Sequence, residues 1–411
     1  MARPDASPTP RRGGLRRLVL NAAVLGVAVV VALALAEVAV RIVAPQQLIQ
    51  VRPDIWAAAD SLGWVNRANV RTTINTGEGT AHLVTDAEGM RVAAAGRRDA
   101  PTRVLLIGDS FAEALQVEYE QSFAALFEDS LPARIGRTVA VYNSGVDGWD
   151  PPQYLIRARQ LLAGARTYSA VVVALYLGND IVTHRVDYIP PRTPAVVHHL
   201  RLPRRPSWGE VVDAWFRPLN DKLKTRSALF VLARKQLHTI LMRFGLTGEY
   251  FPEELRRSQA ASPRWGITAD LCRDIAAAAR QHGVPTVILL IPTPFALDSA
   301  TFDQARKGFG LRPEDVDLDQ PTKLMTAALS SRGLDYVDLL PGFRAAAAHG
   351  AALYGHVDRH LTAAGHVLLT HLAMPALAAA LTGPAPAPPR ARTPARPAPP
   401  RQATGRAARS P

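Results

Sequence analysis

The chain has 411 residues, 48% of them hydrophobic and 20% charged, which excludes a fibrous or largely disordered protein and leaves room for a sizeable core. A single cysteine, Cys272, excludes a disulfide framework and a thiolate-cage zinc site. The net charge of +13 lies mostly at the ends: residues 383–411 carry six arginines and no acid, residues 1–17 five arginines and one aspartate, and the 365 residues between them only +3. A near-neutral body lacks the basic face that nucleic-acid binding needs, so no nucleic-acid partner is expected.

The basic residues 1–17 lead into residues 18–36 (LVLNAAVLGVAVVVALALA), which hold no formal charge. A helix of ~20 apolar residues crosses a bilayer. Arg11, Arg12, Arg16 and Arg17 stand immediately before the segment, so the positive-inside bias keeps the N-terminus in the cytoplasm and exports the residues beyond the segment. The reading is a single-pass membrane anchor over residues 18–43, with Glu37 and Arg41 at the far interface. Ala34-Leu35-Ala36 also fits a cleavage site, which would release a secreted protein. In both readings the body is extracytoplasmic. No face of the segment is polar, which argues against a core helix.

Residues 44–100 contain strand-like pieces at 70–74 and 82–85 and are expected to form an N-terminal extension on a sheet edge. The domain proper spans 101–382. Five β-branched apolar runs mark it, at 103–107 (RVLLI), 138–142 (TVAVY), 170–177 (AVVVALYL), 285–291 (PTVILLI) and 334–339 (LDYVDL). Continuous rather than alternating runs suit strands covered on both faces. Helix-period stretches separate them, at 121–131, 152–163, 270–282, 320–332 and 361–381. The alternation predicts an α/β sandwich on a parallel sheet, with a site at the carboxyl ends of the strands. Residues 181–265, rich in Pro, Arg and Trp with one helix at 227–244, interrupt the third and fourth strands and are expected to cap that site. The Pro/Ala/Arg-rich residues 383–411 are expected to be disordered.

The first strand ends in Gly108-Asp109-Ser110. A serine at a sharp strand-to-helix turn exposes its hydroxyl and aims its N–H into the cleft. The glycine permits the tight turn and close approach of a substrate. The same triplet is equally an ordinary turn. After the second strand, Asn143-Ser144-Gly145 either presents the Gly145 N–H to an oxyanion or is a plain glycine loop. The third strand delivers Gly178-Asn179-Asp180, where Asn179 is a neutral donor for an oxyanion or a cap for the next segment. Near the C-terminus, Asp358-Arg359-His360 places an acceptor two positions before an imidazole, which orients Nε2 toward a hydroxyl. Asp-x-His also occurs as a surface pair or a metal fragment, but no second ligand cluster supports a metal.

Occurring together, in this order and at successive strand ends, these residues resemble the four blocks of the SGNH (GDSL-type) hydrolase superfamily over roughly residues 100–380. The resemblance implies a flavodoxin-like three-layer α/β/α sandwich with a central five-stranded parallel sheet and no cofactor or metal. It makes Ser110 the nucleophile, with His360 and Asp358 completing a triad. The N–H groups of Ser110 and Gly145 and the amide of Asn179 form its oxyanion hole. The third block lacks one residue of the family's Gly-x-Asn-Asp. The last reads Asp-x-His where the common esterase pattern is Asp-x-x-His. That shorter spacing, with the anchor, looks more like the relatives that O-acetylate extracellular polysaccharides, including alginate acetyltransferases.

The expected function is therefore a serine esterase acting through an acyl-enzyme on an ester or O-acetylated carbohydrate. The alternatives are an O-acetyltransferase acting on an extracytoplasmic polysaccharide and a non-catalytic, anchored polysaccharide-binding module. A phosphoryl-transfer protein is excluded because no glycine-rich loop is followed by a lysine. Trp149, Trp208, Trp215 and Trp265 are read as packing residues rather than sugar platforms.

Overall fold

The computed structural model describes residues 12–44, 54–75, 79–191, 219, 222–223, 226–243, 252–355, 359–384 and 386. Helix α1 (Arg12–Val43) comes first. Its stretch from Arg16 to Val43 is long and apolar enough to cross a membrane, and its most apolar part is not buried. Two antiparallel hairpins follow, β1 (Trp56–Ala59) with β2 (Gly63–Asn66) and β3 (Arg71–Asn75) with β4 (Thr80–Val84). The second hairpin is the pair of strand-like pieces expected at 70–74 and 82–85, displaced by a residue or two. The first has no legible pattern in the sequence, because WAAA and GWVN are too short to show an alternation.

The domain then runs β5 (Thr102–Ile107), α2 (Ser110–Glu113), α3 (Phe123–Ser130), β6 (Val139–Asn143), α4 (Pro151–Leu162) and β7 (Ala170–Tyr176). After the insertion, which contributes α5 (Ala228–Arg243), come α6 (Arg264–Gln281), β8 (Thr286–Ile291), α7 (Ser299–Gly308), α8 (Gln320–Ser330), β9 (Tyr336–Asp338), α9 (Leu340–Ala348) and α10 (Ala363–Thr382). The five strands β5 to β9 are all parallel, in the spatial order β6-β5-β7-β8-β9. That is the flavodoxin-like order, with the first strand inside the second.

Alternate residues of each strand enter two separate cores, which is why the strand sequences are apolar throughout. Leu105, Ile107, Val171, Val173, Ile288 and Leu290 pack with Leu155, Ile275 and Leu329 of α4, α6 and α8. Val104, Leu106, Val172, Ala174, Leu289 and Ile291 pack on the other side with Phe123, Phe127, Leu369 and Leu377 of α3 and α10. The result is a three-layer α/β/α sandwich. Helix α10 also has the length and hydropathy of a span, but nearly half of it is buried in this second core. Trp149 and Trp265 are buried as packing residues, whereas Trp208 and Trp215 lie outside the described residues. Helix α5, the described helix of the insertion, packs on α1.

The N-terminal extension covers the carboxyl end of the edge strand β6. Arg91 bridges to Asn143, Trp64 Nε1 donates to Asp147 O at 2.9 Å, and Trp149 Nε1 returns a bond to Trp64 O at 2.9 Å. The Arg91 side chain is fully buried beneath α2. Its guanidinium donates to the carbonyls of Glu113 at 2.7 Å, of Val117 at 2.6 Å and of Ala114. Burial draws its pKa down to about 10, against the pull of Glu113. Arg91→Met leaves those three carbonyls without their buried donor. It is expected to lower stability by about 3–5 kcal/mol, read as a lower midpoint in thermal unfolding of the solubilised protein. An unchanged midpoint would show that Arg91 contributes no net stability.

Candidate active site

The turn after β5 is set by crowding. A Cβ on Gly108 would lie 2.7 Å from Ala112 Cβ and 3.0 Å from Ala174 Cβ, so only glycine lets β5 pass into α2 beside β7. What crowds this glycine is the Ala112 and Ala174 methyl groups and the Ala174 carbonyl oxygen. Asp109 caps the turn, accepting from Phe111 N–H at 2.9 Å, and Ser110 opens α2.

His360 reaches the same point from the far end of the chain. Its loop is closed by an antiparallel bridge between Tyr354 and Leu361 and by the Gly355 N–H donated to His360 O at 2.9 Å. The Tyr354 hydroxyl donates to Pro292 O just beyond β8, which ties the loop to the sheet. Thr362 caps α10 by accepting from Gly365 N–H at 3.1 Å. Within this frame His360 Nε2 stands 2.8 Å from Ser110 Oγ, across 250 residues of sequence. Phe111 lines the imidazole at 4.8 Å between ring centroids and stacks on Tyr176 at 3.9 Å. Arg359 adopts a left-handed φ of 58° and lays its guanidinium 5.0 Å from the Phe295 ring. Asp358 lies outside the described residues.

Gly145 is pressed against the serine turn, where a Cβ would lie 2.5 Å from Glu113 N and 2.6 Å from Ala112 Cβ. Its N–H is donated to Asn143 Oδ1 at 3.0 Å, within its own loop. Asn143 in turn donates Nδ2 to Ala112 O at 2.7 Å, and Asn66 donates to Gly145 O at 3.4 Å. Ser144 is buried and accepts from Arg157 Nε at 2.9 Å. Asn179 is half-buried after β7, and its amide lies near enough to Asp109 to favour the ionised carboxylate. Its neighbour Asp180 is buried and structural, accepting from Tyr176 N–H at 2.8 Å and from the Tyr154 hydroxyl at 3.0 Å. The second histidine of that C-terminal stretch, His366, is buried too. Its Nδ1 accepts from Phe123 N–H at 3.3 Å, and burial draws its pKa down to about 3.

Three buried carboxyls surround the turn. Desolvation raises Asp109 to about 7, and desolvation with the Asp147 charge raises Glu113 to about 8, while Asp180 is raised well above the ordinary range by burial and by Asp109. Glu113 accepts from Asp147 N–H at 2.6 Å, so it clamps the Gly145 loop to α2. Neither Glu113 nor Arg91 stands out in the sequence, since nothing local distinguishes a buried acid from a surface one.

No family model matches this sequence, and no curated protein matches it. Among solved structures the chain is similar to a lipolytic protein of the G-D-S-L family from Veillonella parvula, at 11% identity over 67% of this chain and 97% of that one, with a TM-score of 0.35. It is similar to TesA at 14% identity over 67% and 98% of the two chains, TM-score 0.33. A variant of Axe2, an acetyl xylan esterase from Geobacillus stearothermophilus, matches at 12% identity over 66% and 93%, TM-score 0.33. None of these three exceeds 0.35. At such scores the fold rests on the strand order above.

Asp109 and Glu113 hold their protons more tightly folded than unfolded. Their contribution to stability is therefore fully present below the ordinary values of 3.8 and 4.5 and is lost as pH rises through about 7 and about 8. Glu113→Gln removes one of these titrations while keeping the side chain's size. Its melting temperature is expected to fall less than the wild type's between about pH 5 and about pH 8.5. Identical falls would show that Glu113 ionises without strain.

Proposed function

We propose that this protein is a membrane-anchored serine esterase of the SGNH type, acting outside the cytoplasm on acetyl or other small acyl esters of carbohydrate. The observation that carries the proposal is the Ser110 Oγ to His360 Nε2 hydrogen bond of 2.8 Å at the carboxyl edge of a parallel sheet.

In this mechanism His360 takes the Ser110 proton as Oγ attacks the ester carbonyl, and then returns it to the leaving alcohol. Asp358 is the proposed partner of His360. The negative charge on the tetrahedral oxygen is received by the Ser110 N–H and the Asn179 amide. The Gly145 N–H joins them by sharing its hydrogen between Asn143 Oδ1 and the oxyanion. Losing one such donor costs on the order of a hundred- to a thousandfold in rate. Water resolves the acyl-enzyme in an esterase. A sugar hydroxyl resolves it in the O-acetyltransferase alternative, in which the same triad operates and the acceptor alone differs. The aromatic wall of Phe111 and Tyr176 beside His360 supports the proposal, because it keeps one side of the imidazole dry.

Ser110→Ala is expected to abolish acetyl-ester turnover in a protein that still melts cooperatively, and Asn179→Ala to reduce kcat about a hundredfold or more. A fluorophosphonate is expected to label Ser110 in the wild type and not in His360→Ala. Label on Ser144, or full activity in Ser110→Ala, would overturn the assignment. Acetate release measured with and without an oligosaccharide, followed by mass analysis of the sugar, separates the two outcomes. Free acetate alone supports the esterase, and an acetylated sugar the transferase.

A further inference from the structure

The insertion between β7 and α6 sends α5 against α1, and the junction is a built one. Glu37 accepts from Ser227 Oγ at 2.8 Å and from the N–H groups of Ala228 and Leu229 at 2.8 and 3.0 Å, which caps the first turn of α5. Arg41 donates to Glu37 at 2.7 Å and to the carbonyl of Arg226 at 2.7 Å. Glu37 stands 21 residues beyond Arg16 on α1, or about 32 Å at the helical rise, which matches a hydrocarbon thickness of about 30 Å. If Arg16 marks one face of a bilayer, the start of α5 lies at the other.

The composition of α5 and its approach suits that level. Residues 222–243 hold six Lys or Arg and no Asp or Glu. Arg226 and Arg234 are exposed, and so are two apolar side chains three residues apart on one side of the helix, Leu237 at 55% and Ile240 at 48%. The opening turns are covered instead, with Ala228 and Val231 buried. A second copy of the chain is a poor occupant of this face, since two segments of the same positive charge would repel. An anionic lipid surface is a good one, because its negative potential attracts basic segments that lie near it.

We propose that α5 lies in the plane of the membrane surface, with Leu237 and Ile240 among lipid chains and the exposed Arg226 and Arg234 against anionic phospholipid headgroups. This rests on the reading of α1 as a retained anchor. The insertion then sets how the catalytic domain is held above the bilayer, a role distinct from capping the site.

The test uses the full chain reconstituted in vesicles of phosphatidylcholine, with or without phosphatidylglycerol. An environment-sensitive fluorophore is placed on Leu237→Cys and, separately, on Val29→Cys in the middle of α1. Buried Cys272 is shielded, and the unsubstituted protein is the labelling control. Nitroxide lipids are expected to quench the probe at 237 about twofold or more, more strongly with phosphatidylglycerol and independently of the protein-to-lipid ratio. The probe at 29 is expected to be quenched in both compositions. A probe at 237 that answers only to aqueous iodide, while the probe at 29 stays in lipid, overturns the surface helix and leaves the anchor standing. If both probes are in water, the anchor reading fails and this inference with it. A probe at 237 that is shielded from both nitroxide lipid and aqueous iodide at high protein-to-lipid ratio, and loses that shielding as protein is diluted in lipid, would mean that a second copy covers the face and would overturn the surface helix.

Discussion

Three backbone segments meet around Ala112 with no room for a further methyl group, and that crowding governs the site. Gly108 and Gly145 both abut the Ala112 methyl, and the Asn143 amide binds the Ala112 carbonyl. A turn held this tightly has one conformation available to it, so the first residue of α2, Ser110, is presented at a fixed place and angle. Interiors are close-packed and answer to a single added methylene. The same property that makes a core resist mutation here holds a hydroxyl still. The imidazole needs only to be brought to it, and the Tyr354–Leu361 bridge and the Tyr354 hydroxyl bond to Pro292 do that.

The electrostatics of this region carry a cost that the fold offsets elsewhere. Asp109, Glu113 and Asp180 are all excluded from water, and each loses hydration on folding. Hydrogen bonds from the Phe111, Asp147 and Tyr176 N–H groups, the Tyr154 hydroxyl and the nearby Arg91 charge recover part of that loss. The rest appears as carboxyls that hold their protons toward neutral pH. Arg91 comes from the extension, so residues that a sequence reading sets beside the domain are part of the floor of its site. The extension and the domain share one buried network and are expected to melt together.

At the opposite end of the size scale, α1 and α5 show how a long apolar helix and an insertion are joined by a few polar atoms. A carboxylate on a long apolar helix is costly unless it is paired. Glu37 answers that by serving Arg41 and the opening turn of α5 at once.

The sequence by itself determined whatever depends on near neighbours. The apolar runs at 103–107, 170–177 and 285–291 announce strands covered on both faces, and the observed strands differ from them by a residue at most. The uncharged residues 18–36 announce α1, and the glycines and polar residues that end the strands mark where a site would lie. That His360 meets Ser110 was implied by the resemblance and is made by the tertiary structure, which alone decided that Arg91 passes beneath α2. It also decided that the Gly145 N–H turns to Asn143 and that α5 packs on α1. Periodicity encodes which face of an element is dry, because burial repeats along a helix or strand. It does not encode which distant element supplies the cover or the donor. That depends on how several faces pack at once, and no local pattern records it.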